Sequence, residues 1–274
     1  MKYLKVYLLV ILFGILAISL VPIKKSDSIK LNFIWEDDFT AKEQEMVKTW
    51  LQATALSTAQ ALGSYPFTVN LYMHKKAANE PVPWARTVRD NEQAIHFHID
   101  TKFSLEEFQT DWTASHELSH LSIPFIGREN MWFSEGYASF WQWQILQNQG
   151  VLSQSEIMEK YTERFNHIKE SYNTSETFLT TYKNLKSKHN YPAVYWGGAC
   201  YFFKVNQLLK ENHQTTLAIV IQQYQNTNRL KDESLDELIN SLDSISNSKV
   251  FSKTLKTFET AIAKDVILNT ELSF

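Results

Sequence analysis

Residues 113–120 read Thr-Ala-Ser-His-Glu-Leu-Ser-His and contain the pattern H-E-x-x-H. Because one helical turn spans about four residues, both histidines of this pattern project from one helix face and can bind one ion. Imidazole suits zinc, and a catalytic zinc typically has three protein ligands and one open position. The stretch therefore predicts His116 and His120 as zinc ligands and Glu117, beside that face, as a general base.

The sequence around the motif predicts the helix that this spacing requires. Residues 104–107 form a capping box, with Ser at the N-cap and Glu three positions on, and Pro124 stops the helix, which is predicted over residues 104–123. Three apolar residues continue the side on which the first histidine lies: Leu105, Phe108 and Trp112. The metal face is therefore expected to point into the protein. The alternative is an ordinary pair of surface or core histidines.

A third ligand is expected on the element that follows. Residues 132–140 are rich in Trp, Phe and Tyr and place Glu135 near the start of the next helix, while Pro124 and Gly127 can turn the chain back. A buried carboxylate needs a partner, and a metal ion is a suitable one. Two alternatives stay open: Glu135 as an exposed glutamate that favours the helix dipole, and Glu129 as the competing ligand from a predicted turn.

Away from the motif, hydrophobic periodicity divides the chain into two parts. Strands are predicted at 29–35, 66–73, 84–88 and 94–100, with a capped helix at 40–62. No strand is predicted after residue 100; helices are predicted at 104–123, 130–149, 153–172, 192–212, 215–224, 234–242 and 249–267. We therefore expect an α+β fold in which a small strand-containing lobe, residues 26–103, precedes a mainly helical lobe, residues 104–274, within one domain.

Composition excludes several classes of protein. The 27 Lys and Arg against 30 Asp and Glu give a net charge of -3, which disfavours a nucleic-acid partner. The single cysteine, Cys200, excludes an internal disulfide and a site of several thiolates, so a metal must be held by His and carboxylate. Cys200 itself is expected to be a small buried side chain. With 7 Gly and 6 Pro in 274 residues, turn formers are scarce, which favours helices.

The amino terminus has the pattern of an export segment. Lysines at positions 2 and 5 precede an apolar run over residues 6–21, closed by Pro22. The run is long for a signal-peptide core and slightly short for a membrane span. Residues 1–25 are therefore interpreted as a signal peptide or an uncleaved membrane anchor. The body of the protein is expected outside the cytoplasm, anchored to the membrane facing the periplasm or cell exterior, or secreted if the segment is cleaved.

The order of the motifs resembles a known group of enzymes. The H-E-x-x-H pattern followed by Trp132-Phe133-Ser134-Glu135-Gly136-Tyr137-Ala138-Ser139 is similar to the gluzincin metallopeptidases, above all to the aminopeptidase N and glycyl aminopeptidase families. Tyr195-Trp196-Gly197-Gly198-Ala199 resembles their Tyr-x-x-Gly-Ala segment. The resemblance implies Glu135 as the third ligand of one Zn²⁺ per chain, Tyr195 as donor to the oxyanion, a thermolysin-like zincin domain, and a peptide or protein substrate.

Two departures from the family limit what the resemblance implies. Fourteen residues separate His120 from Glu135, fewer than aminopeptidase N relatives usually have. The Gly-x-Met-Glu-Asn motif that holds a free amino terminus in those enzymes is absent, and residues 94–100 stand in its place. Exopeptidase activity is therefore not implied. Residues 95–99 are instead a candidate edge strand for an extended peptide, lined by His96 and His98, which are otherwise solvent-face residues of an ordinary strand.

Other interpretations of the same residues stay open. Tyr195 beside Trp196 is also consistent with core packing, and His189 is the alternative oxyanion donor. For the whole protein, the alternative to an exported zinc metallopeptidase is a membrane-tethered, zinc-binding assembly module with weak or no turnover. Glu117 favours the enzyme, because a purely structural zinc does not need a base. The sequence does not predict the oligomeric state.

Overall fold

The structure is a computed structural model that describes residues 28–89 and 91–272. The predicted export segment, residues 1–25, lies outside the described residues. Within the two described ranges, no helix has both the length and the apolar character needed to cross a membrane.

A four-stranded sheet forms the amino-terminal part. Its strands are β1 (Lys30–Trp35), β2 (Thr68–Lys75), β3 (Trp84–Val88) and β4 (Ala94–Ile99). Their order is β1-β2-β4-β3; β2 pairs in parallel with β1 and with β4, and β3 pairs antiparallel with β4. The expectation that residues 95–99 form an edge is therefore wrong: β4 is paired on both sides, and β3 is the edge strand on that side.

The remaining elements in the described part of the chain are helical. The α-helices are α1 (Ala41–Leu62), α2 (Leu105–Thr110), α3 (Thr113–His120), α4 (Met131–Asn148), α5 (Gln154–Ile168), α6 (Phe178–Ser187), α7 (Tyr191–His213), α8 (Leu217–Thr227), α9 (Leu235–Ile245), α10 (Val250–Thr260) and α11 (Ala263–Leu268). Short 3-10 turns cover Arg128–Asn130 and Glu170–Tyr172. The mixed α+β class, with a small sheet followed by a mainly helical part, is confirmed.

The helix predicted over residues 104–123 is in fact two helices. Asp111 adopts an extended conformation with ψ 131° after α2, and its carboxylate accepts a hydrogen bond of 2.7 Å from the Thr113 N–H at the start of α3. Trp112, between the two helices, is 44% exposed, and its ring packs edge to face on that of His116 with centroids 5.3 Å apart. The prediction of one continuous helix is therefore wrong, but Trp112 does lie on the side of His116, as expected, and His116 and His120 are both buried.

Two further differences lie in the carboxyl-terminal part. The helix predicted over residues 249–267 is interrupted at Ala261, which is extended with ψ 157°. Ala261 accepts a hydrogen bond from the Phe178 N–H (3.2 Å), and the Glu176 carbonyl accepts one from the Ala263 N–H (2.9 Å). This pairing joins α10 and α11 to the start of α6, a helix that was not predicted from the sequence. Its N-cap is Thr177, whose hydroxyl accepts a hydrogen bond from the Thr180 N–H.

Two hydrophobic cores meet at the motif helix. One core fills the space between the inner face of the sheet and α1, and it includes Leu118 of α3. The other lies among the helices from α4 onward and contains most of the buried aromatic residues. Because α3 contacts both α1 and α4, its histidine face lies at the junction of the two cores.

Two glycines allow α4 and α7 to pack with their backbones in contact. A Cβ on Gly136 would lie 2.3 Å from the Gly198 carbonyl carbon, and a Cβ on Gly198 would lie 1.8 Å from the Trp132 carbonyl oxygen. Such distances are far below van der Waals contact, so any larger residue separates the helices. This packing places Glu135 of α4 and Tyr195 of α7 near each other.

Gly198→Ala is therefore expected to destabilise the protein by at least about 2 kcal/mol, although alanine normally favours a helix. Denaturant unfolding measures the loss. The matched control is Gly150→Asn, because Gly150 has φ 79° and a Cβ added to it would have no atom within 4 Å. Asparagine tolerates that left-handed conformation, so this change should cost less than about 1 kcal/mol. Equal effects of the two substitutions would contradict the close helix contact.

Candidate metal centre

Three predicted ligands lie together where α3 faces α4. The Glu135 Oε2 atom is 3.2 Å from His116 Nε2 and 3.5 Å from His120 Nε2. The two imidazole rings come from successive turns of α3 and meet edge to face, with centroids 4.9 Å apart. Among the described residues, these three are the one group of His, Cys, Asp and Glu whose ligand atoms converge sufficiently for a metal ion.

The group fits zinc in donor type and in spacing. Two imidazoles and one carboxylate form a donor set that is used by catalytic zinc sites. Ligand atoms about 2.0–2.1 Å from a tetrahedral zinc lie roughly 3.3–3.4 Å from one another. The two separations from Glu135 Oε2, 3.2 and 3.5 Å, bracket that value. Gly127, with φ 88°, and the following 3-10 turn reverse the chain between α3 and α4, so the short connection to Glu135 does not keep it from the histidines.

The three groups shift one another's protonation. Burial favours the neutral acid, but the imidazoles of His120 and His116 hold the pKa of Glu135 well below its usual value. Burial also opposes the charge on His116, yet the hydrogen bond and charge of Glu135, with Glu117, leave its pKa raised. Burial lowers the pKa of His120, and Glu135 only partly offsets this. A partly buried carboxylate that stays ionised next to two imidazoles is suited to a divalent cation.

Each histidine has a polar partner on its other ring nitrogen, and both partners lie on α4. His116 Nδ1 is 2.9 Å from Gln142 Oε1, and His120 Nδ1 is 3.3 Å from Ser134 Oγ. Because the amide oxygen only accepts, His116 must carry its proton on Nδ1, which leaves Nε2 free for a metal. Gln142 was not predicted from the sequence. The sequence feature that could have identified Gln142 is its spacing of seven residues from Glu135, which puts both residues on one face of a helix.

The predicted base lies in the same cavity. Glu117 is partly buried and lines a cleft of about 430 Å³, together with the three candidate ligands and Tyr195. The Glu117 Oε2 atom accepts a hydrogen bond of 2.7 Å from the Thr87 hydroxyl on the edge strand β3. The cleft therefore brings a carboxylate that is not in the ligand group within reach of a bound peptide.

Tyr195 lies on the α7 side of the cleft. Its ring centroid is 6.4 Å from that of His116. Burial, reinforced by the charges of Glu135 and Glu117, raises the pKa of Tyr195 well above its usual value. The hydroxyl is therefore protonated at neutral pH. Within the described part of the chain it has no hydrogen-bond partner, so it is available to donate to a ligand in the cleft.

The structure places the alternative candidates outside the site. Glu129 is exposed in the 3-10 turn and is not part of the ligand group. His189 lies in the turn before α7, 3.1 Å from the Tyr191 hydroxyl, and does not line the cleft. His96 and His98 lie on the face of the sheet opposite the core, are partly buried, and do not line the cleft. Cys200 is fully buried, as predicted.

Comparison with known proteins gives similarity at the level of structure. No family model matches the chain, and no curated protein matches its sequence. A crystal structure of an aminopeptidase N family protein from Idiomarina loihiensis matches 86% of this chain and 46% of its own, with 16% identity and a TM-score of 0.61. A mutant M1 zinc metallopeptidase from Deinococcus radiodurans matches 85% of this chain and 49% of its own, with 11% identity and a TM-score of 0.50.

The chain thus spans about half the length of these solved structures, and identities this low establish a shared fold alone. The protein has a peptidase-like fold, similar to part of an aminopeptidase N family protein and part of an M1 zinc metallopeptidase.

Proposed function

We propose that this protein is a zinc-dependent metallopeptidase of the gluzincin type, with one Zn²⁺ held by His116, His120 and Glu135. The observation that carries the proposal is the convergence of these three ligand atoms beside Glu117, a carboxylate that is not in the ligand group. The His116-Glu117-x-x-His120 pattern and the fold shared with zinc metallopeptidases support it. A zinc held only for structure does not need such a base.

The roles of the protein groups follow from their positions. When bound, zinc polarises a carbonyl and lowers the pKa of a water toward about 7. Glu117 takes the proton of the attacking water and delivers it to the departing amine, because its carboxylate lies in the cleft beside His116. Tyr195 donates its hydroxyl proton in a hydrogen bond to the oxyanion that develops on the carbonyl.

The cleft and the sequence also bear on substrate and location. The substrate we propose is a peptide or protein that enters the cleft beside the edge strand β3. The proposal does not require the substrate to present a free amino terminus. We propose that the protein is exported and either anchored by residues 1–25 or secreted after their removal. These residues carry the positively charged start and apolar run of an export segment.

Zinc analysis combined with a peptide-library digest tests the function. The expected result is about one zinc per chain and cleavage that a chelator abolishes and added zinc restores. Zinc bound at one per chain with no cleavage of any library peptide would favour the zinc-binding assembly module instead. Absence of zinc binding would contradict both functions.

Tyr195→Phe is expected to lower kcat by roughly 10²–10³-fold, the usual cost of losing one oxyanion donor. Zinc affinity should stay at the wild-type level, because the Tyr195 hydroxyl is not part of the ligand group. Steady-state kinetics on a cleaved library peptide measure the effect. Tyr191→Phe is the matched control, since Tyr191 lies one turn earlier on α7, is 38% exposed and does not line the cleft. Equal activity of the two variants would remove Tyr195 from the mechanism.

A further inference from the structure

The edge strand β3 contacts the motif helix through a hydroxyl. Thr87 Oγ1 is 2.7 Å from Glu117 Oε2 and 2.9 Å from the Glu117 backbone carbonyl oxygen. A hydroxyl has one proton, and the shorter contact, to a charged oxygen, is the stronger hydrogen bond. Holding Oε2 restricts rotation of the carboxylate and leaves the other oxygen, Oε1, to exchange a proton in the cleft. Thr87 thus limits where the base can point.

The residue that follows β3 holds the end of the same helix. The Arg89 guanidinium donates to the carbonyl oxygens of His120 (2.8 Å), Pro124 (3.3 Å) and Ile123 (3.5 Å). The last carbonyls of a helix have no partner within it and carry partial negative charge, so a cation at this position satisfies them. Arg89 therefore fixes the end of α3 at the residue that bears the second imidazole.

The same guanidinium also reaches that imidazole through a serine. Arg89 Nη2 donates to Ser134 Oγ over 3.1 Å, and Ser134 Oγ is 3.3 Å from His120 Nδ1. A guanidinium only donates, so the Ser134 oxygen accepts from it and has a second lone pair for the N–H of His120. A proton on Nδ1 leaves Nε2 of His120 free for the metal.

We propose that the end of β3 is a positioning arm for the active site, in which Thr87 holds the base and Arg89, acting through Ser134, holds the ligand His120. In the described residues Arg89 forms no ion pair with a carboxylate, and all of its hydrogen bonds go to α3, the turn after it, and Ser134. Arg89 is partly buried, and its hydrogen bonds go to the end of α3, to the turn after it and to the serine that contacts His120. It is therefore well placed to hold His120 in position. The proposal rests on the metallopeptidase function above.

The two contacts predict two separable losses. Thr87→Val keeps the shape of the side chain and removes its donor, so kcat should fall by about 10- to 100-fold, as for loss of a hydrogen bond to a charged group. KM and zinc affinity should not change, because Thr87 has no hydrogen bond to any of the three proposed zinc ligands. The control is Thr68→Val, the same substitution at an exposed strand position at the start of β2. A kcat at the wild-type level in Thr87→Val would overturn the part of the proposal that concerns the base.

Removing Arg89 should instead weaken zinc binding. We expect Arg89→Met to lower zinc affinity by about 10- to 100-fold, the usual cost of losing a partner of a ligating histidine. Competition with a chelator measures it, and Arg128→Met, in the exposed 3-10 turn, is the matched control. Arg89→Lys should recover only part of the affinity, since one ammonium cannot reproduce the planar set of guanidinium donors.

A double-mutant cycle distinguishes positioning from general stabilisation. Ser134→Ala alone should lower zinc affinity. In the double mutant with Arg89→Met, the total fold-loss of zinc affinity should be smaller than the product of the two single fold-losses, because both substitutions break one chain of contacts. If Arg89→Met does not fold, the change in the Co²⁺ absorption spectrum of Ser134→Ala tests the link on its own. Multiplicative effects, or an unchanged spectrum, would overturn it. These readouts need no peptide cleavage, so they stay valid if the protein is not a peptidase.

Discussion

Glu117→Gln is expected to lose peptide hydrolysis by at least about 10²–10⁴-fold, the usual contribution of a general acid–base group, while it retains zinc. Glutamine has nearly the size and shape of the glutamate, so the cleft and the contact with Thr87 can persist. Its amide cannot take a proton from water at neutral pH. Because Glu117 is outside the ligand group of His116, His120 and Glu135, the metal stays bound.

Single-turnover kinetics on a cleaved library peptide, with zinc content measured on the same preparation, test this expectation. Glu129→Gln is the matched control, because Glu129 is exposed and lies outside the cleft. Normal cleavage by Glu117→Gln would contradict the mechanism. Loss of zinc from Glu117→Gln would instead mean that Glu117 is a ligand, which the geometry of the site does not support.

The parts of the site that follow from helical spacing were predictable from the sequence. His116 and His120 are four residues apart on one helix, so their shared face depends only on local geometry. Glu135 was predictable from its position among aromatic residues at a helix start and from the resemblance to gluzincins. The structure brings its carboxylate within 3.5 Å of both histidines. Local patterning was sufficient here because one turn joins the two helices.

Contacts between distant elements were not predictable in the same way. Capping-box spacing correctly marked the start of α2, but the break at Asp111 depends on a single side chain capping the next helix. Strand alternation correctly predicted which residues of β4 face the core and which face the other side. Alternation carries no information on strand order, so the prediction that β4 is an edge strand was wrong. The partners of the site, Thr87 and Arg89, lie about 30 residues from the motif and have no local pattern that marks them.

The close contact of α4 with α7 is a further feature that only the fold explains. Gly136 directly follows the candidate ligand Glu135, and Gly198 lies three residues after Tyr195. In the sequence, both glycines are parts of a resemblance and have no evident physical role. Their missing side chains let the two helix backbones touch, which sets the distance between the candidate ligand Glu135 and the proposed oxyanion donor. Packing density and site geometry therefore depend on the same residues.

Glu135→Gln is expected to weaken zinc binding by more than the roughly 10–100-fold that follows loss of a ligand's hydrogen-bond partner, because it replaces a charged ligand with a neutral amide. Chelator competition measures the affinity. The metal-free protein should respond as well. Glu135, through its hydrogen bond and charge, offsets the effect of burial and raises the pKa of His116. Without the carboxylate, burial dominates and that pKa should fall, which a proton NMR titration of the histidines measures.

The two readouts together decide between a ligand and an ordinary helix-start glutamate. A glutamate that only favours the helix dipole contributes about 0.3–1 kcal/mol to stability, and its replacement leaves zinc affinity unchanged. A ligand in contact with both imidazoles changes zinc affinity and the His116 titration in one substitution. Glu129→Gln provides the reference, since Glu129 precedes the same helix but is exposed. If Glu135→Gln and Glu129→Gln bind zinc equally well, the carboxylate of Glu135 is not a ligand, and the site reduces to two histidines.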